Sequence, residues 1–365
     1  SFGVTATAIG MAVAIYGVGR MVSAPPAGSL SDRLGRRHTL ALGGVVTSVG
    51  NLACALSASY PEFIAGRLVA GLGARLVLTT GQIVLADIST PERRGRMISI
   101  YQATFLFAVG VGPFPGGLLA DNFGLDAPFF AYAVFGLLCT GVAWLAVGET
   151  RDFASSRGRG GTGPRPRYWD QLRELAGKRG YVLVCLVSLM FAVIRTGGFF
   201  AIIPIIGKDA IGLTVAEIGL GLLVGSILGL AAAYPGGMIA DAFGRKMVIV
   251  PASIATAATM IMFAQADDYA WFLASCVCWG VATSVGGSAP AAYAADNAPP
   301  GLNATTMSTF RMVGDMGYVV GPIMLGAIAD VTSPSRALEI GAAMVVVTAL
   351  AFAFGAPETW RGRRR

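Results

Sequence analysis

Apolar residues in this chain gather into long runs broken by short basic, acidic or glycine-rich segments, a pattern that predicts one membrane-crossing helix after another. The runs lie near 5–30, 39–59, 63–87, 96–118, 128–148, 181–206, 215–240, 246–265, 269–294, 303–329 and 337–356. Each supplies the roughly 20 residues that a helix needs to span a bilayer. Eleven spans and an all-α membrane fold are therefore expected.

The pattern also repeats. Gly28-Ser-Leu-Ser-Asp32-Arg-Leu-Gly35-Arg36-Arg37 returns as Gly237-Met-Ile-Ala-Asp241-Ala-Phe-Gly244-Arg245-Lys246, displaced by 209 positions. At the same offset Asp87 falls on Asp296, Gly112-Pro113 on Gly321-Pro322, Asp121 on Asp330 and Glu149-Thr150 on Glu358-Thr359. A fixed offset without insertions is what a duplicated unit leaves, and in membrane chains such repeats point to transporters built from two halves. The helix at 181–206 has its counterpart before residue 1, so the repeat predicts that the first helix of the first half is absent and that helices two to twelve of twelve are present. A natural eleven-helix protein is the alternative. The expected domains are an N-terminal bundle over 1–150, a linker with an amphipathic helix over 151–179, and a C-terminal bundle with a basic tail over 180–365.

Composition agrees. At 55% hydrophobic and 13% charged residues, with mean hydropathy +0.67, the chain departs far from soluble domains, where about 25% charged is usual. Twenty of the 27 Lys and Arg residues fall in alternate loops and the C-terminal tail, which by the positive-inside rule puts those loops and the C-terminus in the cytoplasm. The net charge of +7 is thus a topology signal and needs no nucleic acid to explain it. Arginine dominates over lysine, consistent with a GC-rich bacterial genome and a plasma-membrane setting. The Arg-, Gly-, Ser- and Pro-rich stretch 151–167 cannot bury enough apolar surface to order itself. Tyr168 to Ala176, with apolar residues at helical spacing, is expected to lie along the cytoplasmic headgroups beside anionic lipid. Five cysteines, all inside apolar runs, read as small packing residues, and the lone His38 as solvated or headgroup-facing. No Cys/His spacing fits a metal, and no constellation fits an enzyme.

Together the Gly-x-Leu-x-Asp-Arg-x-Gly-Arg-Arg loop, its second copy and the paired helix sets resemble the major facilitator superfamily over the whole chain. That resemblance implies two pseudo-symmetric six-helix bundles, an alternating-access cycle without covalent intermediate, and no enzyme activity or cofactor. It implies a cytoplasmic gate in which Asp32, Arg36 and Asp87 form a charge cluster, docking near the start of the helix at 303–329. Gly28, Gly35 and Arg94 accompany it, and Gly237, Asp241, Gly244 and Arg245 are the second copy. Gly28 and Gly35 are expected where backbone passes closely or turns tightly. The mate of Asp87-Ile-Ser-Thr-Pro91-Glu92-Arg93-Arg94 keeps Asp296 and Pro300 but loses the arginines, so the first half's cluster is expected to be the stronger gate. Arg67-Leu-Val-Ala-Gly71 resembles the family's fourth-helix motif, whose arginine is linked to proton transfer, with Ala70 where a glutamine is common. Gly112, Pro113, Gly116 and Gly117 resemble the core of the antiporter motif of drug and proton exchangers, with Ser99 and Ala108 replacing upstream glycines; pure helix packing is the alternative.

Counted at 1.5 Å per residue, Arg20, Arg75, Arg195 and Asp315 lie roughly 18–22 Å along their helices, at the depth where transporters bind substrate. Arg311 stands four residues before Asp315, on the same face, and its repeat mate is Gln102. Either Asp315 alternates between a proton and Arg311, or the two form a permanent ion pair. Arg20, Arg75, Gln102 and Arg195 are the candidate cavity residues; their positive excess favours an anionic group on the substrate, while Tyr16, Tyr101, Phe105, Phe199, Tyr234 and Trp279 offer aromatic surface. The sequence therefore predicts a monomeric, proton-coupled exporter of drugs or small metabolites; an organic-anion symporter or exchanger is the second reading, and a non-transporting receptor or scaffold a third.

Overall fold

Inside a bilayer no water satisfies backbone N–H and C=O groups, so apolar runs must fold as helices that close their own hydrogen bonds. The computed structural model describes residues 5–89, 97, 101, 104–105, 107–150, 168–298 and 303–358. Among them no strand occurs, and ten helical stretches are long and apolar enough to cross a membrane. The helices are α1 (Ala6–Leu34), α2 (Arg36–Ala55), α3 (Tyr60–Ile88), α4 (Pro113–Phe123), α5 (Ala127–Ala146), α6 (Tyr168–Ala176) and α7 (Arg179–Val193). Beyond α7 come π-helical turns at Ile194–Ile202 and Ile206–Ala210. The order closes with α8 (Val215–Phe243), α9 (Lys246–Ala264), α10 (Tyr269–Gly286), α11 (Ala289–Asp296), α12 (Asn303–Val331) and α13 (Pro334–Gly355).

The residues fall into two compact units. The first comprises Met11–Val109 and Pro115–Gly163; the second comprises Pro164–Arg365 together with Thr5–Gly10 and Gly110–Phe114. In the first unit α2 is sandwiched by α3 and α5 through small residues: a Cβ on Gly50 would overlap the backbone of Ala70, and Ser48 donates to the Ala133 carbonyl at 2.6 Å. Lipid offers no hydrophobic drive for helices to associate, so such close approach and interhelical hydrogen bonds hold the bundle. Ser48→Ala is expected to cost under about 1 kcal/mol, measurable as a small fall in the purified protein's thermal midpoint.

The second unit holds two buried apolar clusters. One is centred on Phe199, Phe263, Phe272, Trp279 and Leu338, with Phe199 stacked on Trp279 at 5.0 Å; the other gathers Leu175, Tyr181, Ile249, Tyr293 and Phe352.

Several expectations need correcting. The run at 181–206 does not continue as an α-helix: its middle is π-helical, where Gly197 lies so close to Gly321 that a Cβ would come 2.5 Å from the latter's carbonyl carbon. The run at 96–118 breaks at a turn at Gly112, α4 starts at Pro113, whose ring and missing N–H suit a first helical position, and the helix continues to Phe123. The run at 269–294 is likewise interrupted between α10 and α11. Finally, α6 forms as expected, and one residue of its apolar stripe packs on protein: Leu175 is 1% exposed inside the second cluster, and Thr305 donates to Gln171.

Candidate functional site

The end of the first unit that carries the basic loop is built around Arg36. Gly35 separates α1 from α2 with φ 92° and ψ 159°, a region essentially reserved for glycine. That turn starts α2 at Arg36, one helical turn from Asp32. The Arg36 guanidinium donates through Nη1 to Asp32 Oδ1 at 2.7 Å and to the Ser31 carbonyl at 3.0 Å, and through Nε to Asp87 Oδ2 at 3.0 Å. Thr150 Oγ1 donates to the same Asp87 oxygen at 3.1 Å. The Arg36 backbone N–H meets Glu149 Oε1 at 3.0 Å, placing an anion at the helix N-terminus, where the macrodipole favours it. Arg36 and Asp87 side chains are 5% and 11% exposed, whereas that of Asp32 is 70% exposed. The buried pair is therefore Arg36 with Asp87, and Asp32 is its solvent-side member.

The second unit repeats the plan more loosely. Gly244 has φ 106°, and Arg245 Nε reaches Asp296 Oδ2 at 3.4 Å, with side chains 19% and 38% exposed. Lys246 donates to the Ala356 carbonyl at 2.9 Å. Asp32, Gly35, Arg36 and Asp87 are thus brought together, as are Gly244, Arg245 and Asp296. Arg94 lies outside the described residues, and nothing is assigned to the Asp241 side chain. The close approach expected at Gly28 is absent: a Cβ there, or at Gly237, would meet nothing within 4 Å, because both glycines face open space along their helices. Glu149 and Thr150 were missed as site residues, although the recurrence of Glu149 as Glu358 was the signal that could have found them.

Arg67, on α3, donates Nε to the Ala12 carbonyl at 3.2 Å and holds its guanidinium 4.7 Å from the centre of the Tyr16 ring. An arginine inside a span is rarely left facing lipid, and here α1 receives it through a carbonyl and an aromatic face. Arg20 on α1 and Arg75 on α3 are half-buried in the first unit; Arg195, also half-buried, sits in the π-helical turns of the second. Gln102 lies outside the described residues. On α12, Arg311 is exposed and Asp315 half-buried, one helical turn apart. Gly117 is buried, Gly112 is half-buried at the turn, and Gly116 faces open space; the Pro113 carbonyl stands 2.5 Å from where a Cβ on Gly219 would lie, a close packing contact inside the second unit. His38 meets Trp144 edge-on at 5.3 Å, so it is packed on a ring and not merely solvated.

Comparison with known proteins gives this geometry a context. The family model described as Major Facilitator Superfamily matches residues 1–322 and 189–365. The tetracycline resistance protein, class C, of Escherichia coli is 30% identical over 261 residues, 70% of this chain and 64% of that protein. The multidrug resistance protein MdtL of a Shewanella species is 22% identical over 72% of this chain and 64% of its own length. Among solved structures a D-xylose-proton symporter superposes with a TM-score of 0.77 at 18% identity, covering 97% of this chain and 88% of that one.

Proposed function

Because the chain belongs to the major facilitator superfamily, and so is a multi-pass membrane transporter and not an enzyme, we propose that it exports drugs or small metabolites in exchange for protons. The observation that supports alternating access is the arginine-centred cluster built twice at the offset of 209: Arg36 with Asp87, and Arg245 with Asp296. Each cluster ties the basic loop of its own unit to that unit's helices, the first more tightly than the second, so the two like halves carry the same device at unequal strength. The basic loops carrying them belong in the cytoplasm by the positive-inside rule, in a plasma membrane, with the protein acting as a monomer.

Efflux is favoured by similarity to two proteins named for drug resistance. Proton coupling draws on Asp315, an acid in the middle of a span, where an ionisable group is costly unless it works, and on Arg67, a cation held by a carbonyl and a ring. The proton gradient takes the place of a cofactor. Arg20, Arg75 and Arg195 are the groups that would meet an anionic substituent on the substrate.

The test is uptake into everted vesicles energised by an imposed pH gradient, with tetracycline as the first probe and a panel of aromatic and carboxylate-bearing compounds beside it. Gradient-dependent accumulation of a drug supports export. Accumulation of carboxylates alone, or in the opposite direction, replaces it with organic-anion symport. Arg67→Lys, which keeps the charge but loses the planar stack on Tyr16, is expected to lower gradient-driven uptake about tenfold while protein in the membrane stays unchanged.

A further inference from the structure

Next to Arg36, a second arginine points to a different partner. Arg37 lays its guanidinium over the Trp144 ring, with Cζ 4.7 Å from the centroid, and His38 meets the same ring edge-on. Trp144 stands in the last turn of α5 and is 48% exposed, between the outward-facing Val142 and Leu145 at 61% and 86% exposure. A lipid-facing tryptophan near a helix end belongs at the headgroup level. Arg37 Nε is buried and has no hydrogen-bond acceptor among the described residues, and the neighbouring Arg33 is exposed and outside every ion pair among them.

The duplicated half shows that bundle packing does not require this group. At the offset of 209, Arg33, Arg37, His38 and Trp144 become Ala242, Lys246, Met247 and Ala353. Lys246 is satisfied within its own unit by the Ala356 carbonyl. The equivalent helix pair thus folds without an arginine, an imidazole or an indole. What the first unit adds is a planar, half-buried cation, steadied on an aromatic face, at the interface. A guanidinium of that kind matches the paired oxygens of a phosphodiester, and anionic lipid is drawn to basic groups at that surface.

We propose that Arg37 on Trp144, flanked by His38 and Arg33, binds the phosphate of an anionic phospholipid headgroup of the phosphatidylglycerol type. Since Arg37 directly follows Arg36, the bound lipid steadies the first turn of α2 and with it the Arg36–Asp87 pair.

Native mass spectrometry of the detergent-purified full chain, titrated with phosphatidylglycerol and with phosphatidylcholine of the same acyl length, tests this. Wild type is expected to retain phosphatidylglycerol about fivefold more strongly. Arg37→Gln and, independently from α5, Trp144→Ala should abolish the preference, whereas Lys246→Gln should keep it; thermal midpoints without added lipid establish that each variant is folded. An undiminished preference in both Arg37→Gln and Trp144→Ala overturns the proposal. So does an equal loss in Lys246→Gln, which would mean nonspecific attraction to basic loops. Displacement by soluble glycerol phosphate at equal concentration would make the site one for free phosphate and overturn the lipid assignment.

Discussion

Asp87→Ala is expected to destabilise the protein by about 3 kcal/mol or more, whereas Asp32→Ala should cost under about 1 kcal/mol. The two aspartates flank the same guanidinium at 3.0 and 2.7 Å, so distance alone would rank Asp32 first. Burial reverses that order. Arg36 and Asp87 are almost wholly enclosed, and removing Asp87 leaves the buried Nε of the guanidinium without its enclosed carboxylate, with only the solvent-side Asp32 still paired; Asp32 is 70% exposed, where water replaces much of what is lost. Thr150 loses its acceptor as well when Asp87 is removed. Unfolding of the purified protein in mixed detergent micelles, followed by helical signal, checks the order. Equal effects at the two positions would mean that the Arg36–Asp87 pair is more hydrated than its burial implies.

Gly35→Ala is the second large effect, again about 3 kcal/mol, and two independent causes act there. At φ 92° and ψ 159° a side chain is strained by about 1–3 kcal/mol. A Cβ would also overlap the Glu149 carboxylate, which must then abandon the Arg36 N–H. Gly244→Ala meets the same backbone strain at φ 106°, but the Glu358 carboxylate lies 3.0 Å from its Cβ and needs only a small shift. Its cost should stay within the strain alone. Gly28→Ala, in a helix with nothing within 4 Å, should be neutral or mildly stabilising. The same micelle unfolding separates the three variants. Because Gly35 and Glu149 share one clash, Gly35→Ala combined with Glu149→Ala should be less harmful than the sum of the two single changes.

Much of this was legible before any coordinates. Apolar runs located the spans because lipid leaves a helix little alternative, and the four-residue spacing of Asp32 and Arg36 already implied their contact. The offset of 209 placed Asp296 beside Arg245 by analogy with Asp87 and Arg36. It also marked Glu149, but a glutamate at the end of an apolar run gives no sign that it will reach back to the turn at Gly35. The π-helical turns were invisible because no local pattern distinguishes them from α-helix, and the close approach of Gly197 to Gly321 within the first of them joins residues 124 positions apart. The stripe of α6 was visible, yet periodicity does not say whether lipid or protein covers it; Leu175 is covered by protein. In the same way, spacing put Arg311 and Asp315 on one face without saying which groups each would meet there.

Coupling is the claim on which the account stands. Proton movement should be recorded with a pH-sensitive dye trapped in proteoliposomes, while a substrate identified by the vesicle assay is added outside. Wild type is predicted to move protons in step with substrate, and Asp315→Asn to bind substrate without moving protons. Substrate flux with no proton flux in the wild type, or an unaltered proton signal in Asp315→Asn, would contradict it.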